Sequence, residues 1–157
     1  MKRIWLVVAV LLLAGCGVQP SGVTDGGEAP TGVAPGMTLY FVDAHNELSP
    51  QLRRTNRLGT ISEAMSLLLS GPGSSDLHTE IASTPTQRVA VITTPGVIQL
   101  LVPLAIYEVT PLGIDQIVCT ALGVLVQDGG SRSMRVQVRF TQLTPESDKQ
   151  RTCPVIG

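Results

Sequence analysis

Residues 134–140, MRVQVRF, decide the fold class, because apolar and polar side chains alternate along them without a break. In an extended strand, successive side chains point to opposite faces. The alternation puts one set on each face: Met134, Val136, Val138 and Phe140 against Arg135, Gln137 and Arg139. A strand with one solvated face belongs to a sheet that helices cover on one side only. The stretch therefore predicts an α+β fold.

The flanking sequence predicts further strands and two helices. Strand patterns occur at residues 38–42, 88–93 and 97–102, and the last of these is nearly continuously apolar and expected to be central. Thr60 and Glu63 have the spacing of a capping box and begin a helix that ends before Gly71. Pro111 opens a second helix, with apolar residues at helical spacing to about residue 122.

The resulting order is βαββαβ, and residues 47–57 leave room for an extra hairpin strand near residue 50. Pro50 limits this segment to an edge strand or an irregular piece. We expect a small sheet of about four strands with both helices on one face.

The amino terminus has the pattern of an export signal. Lys2 and Arg3 precede an apolar run over residues 4–14, which is shorter than the roughly 18 to 20 residues that span a bilayer. Leu13-Ala14-Gly15-Cys16 resembles the bacterial lipobox, which implies cleavage before Cys16 and a lipid on its sulfur. We expect residues 1–15 to be a lipoprotein signal peptide and the mature chain to sit on the outer face of the cell membrane.

The residues after the lipobox predict a flexible tether followed by one domain. Residues 16–36 are rich in Gly, Pro, Ser and Thr, and a coil of that length reaches roughly 25 Å. Residues 37–157 suffice for a single core. Without Lys2 and Arg3, nine basic residues face twelve acidic ones, so the formal charge moves from −1 to about −3. This balance argues against a nucleic-acid partner.

Two cysteines, Cys119 and Cys153, remain once Cys16 carries lipid. Disulfides persist in exported proteins, so an even remainder predicts a bridge that ties the C-terminal tail to the domain. The alternative is a buried Cys119 and a free Cys153.

The sequence shows no clear catalytic or metal-binding pattern. Ser, Asp and His are crowded into residues 74–78, whereas a catalytic triad draws them from separate elements. His45 and His78 have no clustered Cys or carboxylate partners along the chain, and the acidic residues Glu108, Asp115 and Asp128 are scattered. We therefore predict a protein that is not an enzyme and that needs no metal or cofactor.

Arginines provide the candidate site. Arg135 and Arg139 share the polar face of the last strand, and Arg132 lies just before it. Arginine suits bidentate contacts with carboxylate or phosphate groups. The hypothesis is a docking face for an acidic partner or an anionic envelope polymer, and the alternative is an ordinary solvated sheet face.

Three stretches, in this order, resemble the GerMN domain, the sporulation and spore germination domain of bacterial envelope proteins. They are Thr38-Leu39-Tyr40-Phe41-Val42-Asp43, Leu68-Leu69-Ser70-Gly71-Pro72 and Gln116-Ile117-Val118-Cys119-Thr120-Ala121-Leu122. The resemblance covers residues 37 to about 140. It implies a fold similar to ring-building motifs and a non-catalytic accessory of envelope assembly, sporulation, germination or sensor systems.

Two classes of function follow from these predictions. The first is a lipoprotein that binds an envelope protein or assembles with itself. The second is a binding module for a small molecule or a peptidoglycan fragment, which needs a concave pocket. The domain has few rings on which a sugar could stack: Tyr40, Phe41, Tyr107 and Phe140.

Overall fold

The computed structural model describes residues 36–156. The predicted signal peptide, the lipidated Cys16 and residues 17–35 of the tether lie outside the described residues. All described residues belong to one compact unit. None of the helices in this part of the chain is long and apolar enough to cross a membrane.

The order of elements extends the predicted one by a strand in the first hairpin and a short last strand. The strands are β1 (Gly36–Val42), β2 (Leu48–Arg54), β3 (Ala90–Thr94), β4 (Val97–Leu101), β5 (Arg135–Arg139) and β6 (Gln150–Arg151). The helices are α1 (Ile61–Leu69) and α2 (Pro111–Gln127), with 3-10 turns at Ile106–Glu108 and Pro145–Asp148.

The strands form two sheets. β1 and β2 make an antiparallel hairpin, and the other strands make a sheet of order β3-β4-β5-β6 in which β4 and β5 are parallel. The α+β class and a four-stranded sheet with helices are confirmed, and β4 is central in it. The expectation that the first strand joins this sheet was wrong, because β1 pairs with β2 on one side and meets polar side chains of α2 on the other.

Helix α1 begins and ends where local signals place it. The Thr60 hydroxyl accepts a hydrogen bond from the Glu63 amide, and the Glu63 carboxylate accepts one from the Thr60 amide at 2.8 Å. After the last turn, Gly71 takes a φ of +87°, a conformation that glycine adopts without a steric penalty. The capping-box prediction is therefore confirmed.

Helix α2 runs five residues beyond the predicted end. It packs against β1, β5 and α1, so that its middle is buried on all sides from Gln116 to Val124. Contact with both sheets favours continuation of the helix through residues 123–127. The sequence prediction assumed a helix with one apolar side. A helix that other elements enclose is apolar on most sides, so that spacing does not mark where it ends.

A disulfide joins α2 to the tail. Cys119 and Cys153 are bonded, with Cα atoms 4.8 Å apart, and both side chains lie in the core. The pair closes a span of 34 residues that includes β5 and β6. The bond therefore holds the C-terminal residues against the helix.

Candidate docking face

Two of the three candidate arginines lie on the outer face of β5. Arg135 is opposite Val97 of β4, and Arg139 is opposite Leu101. Four residues along a strand correspond to about 13 Å, so the two side chains leave the strand well apart from each other. Arg135 is exposed and Arg139 is half-buried.

The centre of this face is covered, contrary to the prediction of a fully solvated strand face. The side chain of Gln137 is only 7% exposed. Its amide nitrogen donates to the Ser147 carbonyl at 2.9 Å, and its amide oxygen accepts from Gln99 at 3.0 Å. The turn Pro145–Asp148 thus folds back over the middle of β5, which alternation alone did not indicate.

Apolar side chains adjoin the second arginine. A groove of about 360 Å³ lies at the ends of β4 and β5, and its lining consists of Leu101, Val102, Pro103, Arg139, Phe140, Thr141 and Leu143. Leu101 is 41% exposed and Leu143 is 76% exposed. We call Arg135, Arg139, Leu101 and Leu143 the arginine face.

Arg132 lies in the turn before β5 and lines a different groove of about 350 Å³. That groove is formed by β1, the end of α2 and the tail, and its lining consists of Thr38, Tyr40, Gly123, Val126, Gln127, Arg132, Val155 and Ile156. Burial raises the pKa of the Tyr40 phenol in its wall. The structure therefore places Arg132 and Arg139 in two separate grooves, and Arg135 lines neither of them.

A polar row on α2 was not singled out in the sequence. Thr120 accepts from the Tyr40 amide at 3.0 Å, and Gln116 donates to the Tyr40 carbonyl at 3.1 Å. Gln127 accepts from the Thr38 amide at 3.3 Å. Polar residues at helical spacing within an otherwise apolar helix were the available signal, and their role is to satisfy the edge of β1.

The crowded Ser and His residues do not form a catalytic arrangement in the described chain. Ser75 donates to the Pro72 carbonyl at 3.2 Å, and no hydrogen bond joins a serine to a histidine in residues 74–78. His78 lies 3.4 Å from the Glu80 carboxylate. Within residues 36–156, no group of three or more His, Cys, Asp or Glu side chains could hold a metal ion.

Two isolated carboxyl groups have shifted pKa values. Backbone hydrogen bonds from Glu47 and His45 lower the pKa of Asp43 in the β1–β2 loop. Burial raises the pKa of Asp115 in α2, an effect that Arg151 opposes. These shifts follow from turn geometry and helix burial, so they do not define a second site.

Comparison with protein-family models, curated proteins and solved structures finds no match to this chain. What the arginine face can do is set by its own chemistry. Guanidinium groups beside apolar side chains suit a ligand that carries both carboxylate or phosphate groups and apolar surface.

Proposed function

We propose that this chain is a membrane-anchored lipoprotein of the cell envelope, in which a GerMN-like domain acts as a non-catalytic interaction or assembly accessory. The lipobox residues 13–16 and the resemblance over residues 37 to about 140 support the anchor and the class. The observation that carries the proposal is the arginine face, where Arg135, Arg139 and the exposed Leu101 share one side of the sheet and the exposed Leu143 lines the adjoining groove.

The residues of the arginine face are of the types that occur in protein–protein interfaces. Arginine is enriched in the cores of protein interfaces, and apolar side chains that cluster on a surface mark places of association. Leu101 and Leu143 would provide the apolar contact, and Arg135 and Arg139 would bind carboxylates of an acidic partner. The proposed partner is therefore an acidic envelope protein.

Cross-linking in the native membrane tests the proposal. The lipidated protein is cross-linked, purified and analysed by mass spectrometry, and the variant R135E/R139E is compared with R54E/R88E. The control changes net charge equally at two exposed arginines elsewhere. Charge reversal on the arginine face is expected to reduce the partner adduct about tenfold or more, since like charges across an interface cost several kcal/mol.

Equal recovery of the adduct from both double variants would remove the arginine face from the proposal. The anchor is tested separately with Cys16→Ser, which should release the chain from the membrane fraction. A Cys16→Ser chain that stays in the membrane and still incorporates labelled lipid would contradict the anchor.

A ligand-binding role has one observation in its favour. The groove beside Tyr40 is lined by Thr38, Gln127 and Arg132, and its volume of about 350 Å³ is near the lower end for small-molecule sites. Calorimetric titration with defined peptidoglycan fragments tests this role. Binding heat from the native chain that is absent from the Gln127→Ala variant would favour a ligand-binding role. Absence of binding heat at millimolar fragment concentration would exclude that class of ligand.

A further inference from the structure

Within residues 36–156, the two sheets have four strand edges that could pair with another chain, and three of them are blocked. An exposed edge offers unpaired N–H and C=O groups, and proteins cover such edges with proline, charge, short strands or side chains. The edge of β1 is covered by the polar row of α2. β6 has only two residues.

The outer edge of β2 is blocked by its own sequence. Pro50 has no amide proton to offer, and Arg53 and Arg54 place charge at the end of the strand. The Arg53 guanidinium donates to the Gly71 carbonyl at 2.8 Å, and Gln51 donates to the Pro72 carbonyl at 3.3 Å. The segment after α1 therefore lies against this strand.

The edge of β3 carries none of these devices. Its five residues, AVITT, are uncharged and contain no proline, and four of them are exposed. Ile92 is 47% exposed on the outer side of the sheet. Helix α1 packs near the strand, but the hydrogen bond it makes here goes to the residue before it, where Ser62 donates to the Val89 carbonyl at 2.8 Å.

The geometry of the β3–β4 hairpin shows which backbone N–H and C=O groups of β3 are not paired with β4. Pro95 and Gly96 form a two-residue loop, so Thr94 and Val97 are the closing hydrogen-bonded pair of β3 and β4. Bonded and non-bonded positions alternate along an antiparallel ladder. Val91 and Thr93 therefore direct their N–H and C=O groups away from β4.

We propose that β3 pairs antiparallel with β3 of a second copy, with a twofold axis through Ile92. In this register Val91 lies opposite Thr93 of the second copy, and each pair exchanges two hydrogen bonds. A shift of two residues along the strand would instead pair Val89, whose carbonyl is occupied by Ser62, or Pro95, which has no N–H.

The side chains are self-complementary in the same register. Ile92 faces its symmetry mate in a non-hydrogen-bonded pair, where side chains approach most closely. Arg88, just before the strand, falls opposite Gly96, so no like charges meet. The match of the segment to itself is the reason to assign a second copy and not an unrelated peptide.

This pairing deepens the proposed function, because it supplies the self-assembly contact of the accessory. It joins two four-stranded sheets at their edges and leaves both arginine faces open on the outer side. A contact of five residues per chain is small beside a stable interface. Anchoring on one membrane raises the effective concentration, so association is expected at the membrane.

Cysteine pairing in the membrane tests the proposal with the full lipidated chain. Ile92→Cys places thiols face to face across the axis, and mild oxidation is expected to convert most of the chain into a disulfide-linked dimer. The matched control is Leu101→Cys, a similarly exposed residue on the same side. Its symmetry mate is three strand spacings away, about 14 Å or more, which no disulfide can span.

A second substitution separates strand pairing from chance collision. Thr93→Pro removes an outward amide proton without touching the β4 ladder, so it should abolish the Ile92→Cys dimer while circular dichroism stays unchanged. If Thr93→Pro disturbs the fold, Thr93→Lys places a charge at the edge for the same comparison.

Several outcomes would overturn the proposal. These are an Ile92→Cys dimer no more abundant than that of Leu101→Cys, a dimer that survives both Thr93 variants, and an adduct with a different protein in place of the dimer. The R135E/R139E chain should dimerise normally through Ile92→Cys. The experiments therefore distinguish failure of the proposed arginine face from failure of the proposed β3 pairing.

Discussion

The amide of Tyr40 in β1 donates a 3.0 Å hydrogen bond to the hydroxyl of Thr120 in α2, 80 residues later in the chain. One turn earlier on the helix, Gln116 donates to the Tyr40 carbonyl. Both backbone groups of one strand residue are thus satisfied by a helix. This relationship keeps β1 out of the four-stranded sheet, because its second edge has no groups left at Tyr40 for another strand.

Thr120→Val should destabilise the domain, because it keeps the shape of the side chain and removes the acceptor of the Tyr40 amide. A buried donor without a partner costs about 1–3 kcal/mol. Urea denaturation followed by circular dichroism measures this loss. Thr120→Ser retains the hydroxyl and is expected to fall between the valine variant and the native protein. Equal stability of all three would mean that the hydrogen bond adds nothing.

Gly113→Ala should also destabilise the domain. A Cβ atom there would lie 2.3 Å from the Glu80 carbonyl oxygen, which is backbone and cannot turn aside. Overpacking of this kind costs about 1–3 kcal/mol or more.

The matched control for this prediction is Gly123→Ala on the same helix. Its added Cβ would meet the Tyr40 ring at 3.3 Å, a milder contact. Alanine gains about 1 kcal/mol over glycine in helix propensity, which offsets that contact. Thermal unfolding should therefore separate the two variants, and a similar midpoint for both would contradict the close approach at Gly113.

Loss of the Cys119–Cys153 bond should cost about 3 to 4 kcal/mol, by the entropy of closing a 34-residue span in the unfolded chain. The measurement is guanidinium denaturation of the native chain with and without reductant. The variant C119A/C153A separates the bond from the reductant, since its curve should not respond to reduction. Two titratable thiols in the unreduced, denatured native domain would contradict the bond.

The free energy of unfolding should fall at acid pH, because contacts made in the folded state favour the ionised form of certain carboxylates. Hydrogen bonds from the Glu47 and His45 amides lower the pKa of Asp43, and the Arg57 guanidinium lowers the pKa of Glu63. A lowered folded-state pKa gives stability that is present above the unfolded-state pKa and is lost as pH falls through the folded-state value. Stability should therefore decline from about pH 4.5 downwards.

Denaturation midpoints between pH 7 and pH 2.5 measure this decline. Asp43→Asn keeps an acceptor oxygen without the charge, so it should flatten part of the acid limb. Glu47→Gln is the control, because Glu47 takes part in this loop through its backbone amide. An acid limb identical in the native chain and Asp43→Asn would show that this carboxylate is not responsible.

The capping and strand predictions that the structure confirms rest on interactions between near neighbours. Thr60 and Glu63 cap α1 within three residues, and Gly71 ends it by its backbone conformation. The alternation over residues 134–140 identified β5 and the arginines on its outer side. Such features depend on a few dihedral angles and one or two local hydrogen bonds, which short patterns encode directly.

The tertiary structure decided where distant segments satisfy one another. Gln137 is buried because a turn ten residues later covers it, α2 continues to Gln127 because two sheets enclose it, and β1 stands apart because α2 satisfies its edge. Whether a strand edge stays open, as at β3, likewise depends on which distant segments lie against it. Alternation, capping and an even cysteine count are properties of the chain by itself. Which backbone groups remain unpaired is a property of the assembled fold, since each depends on a partner many residues away.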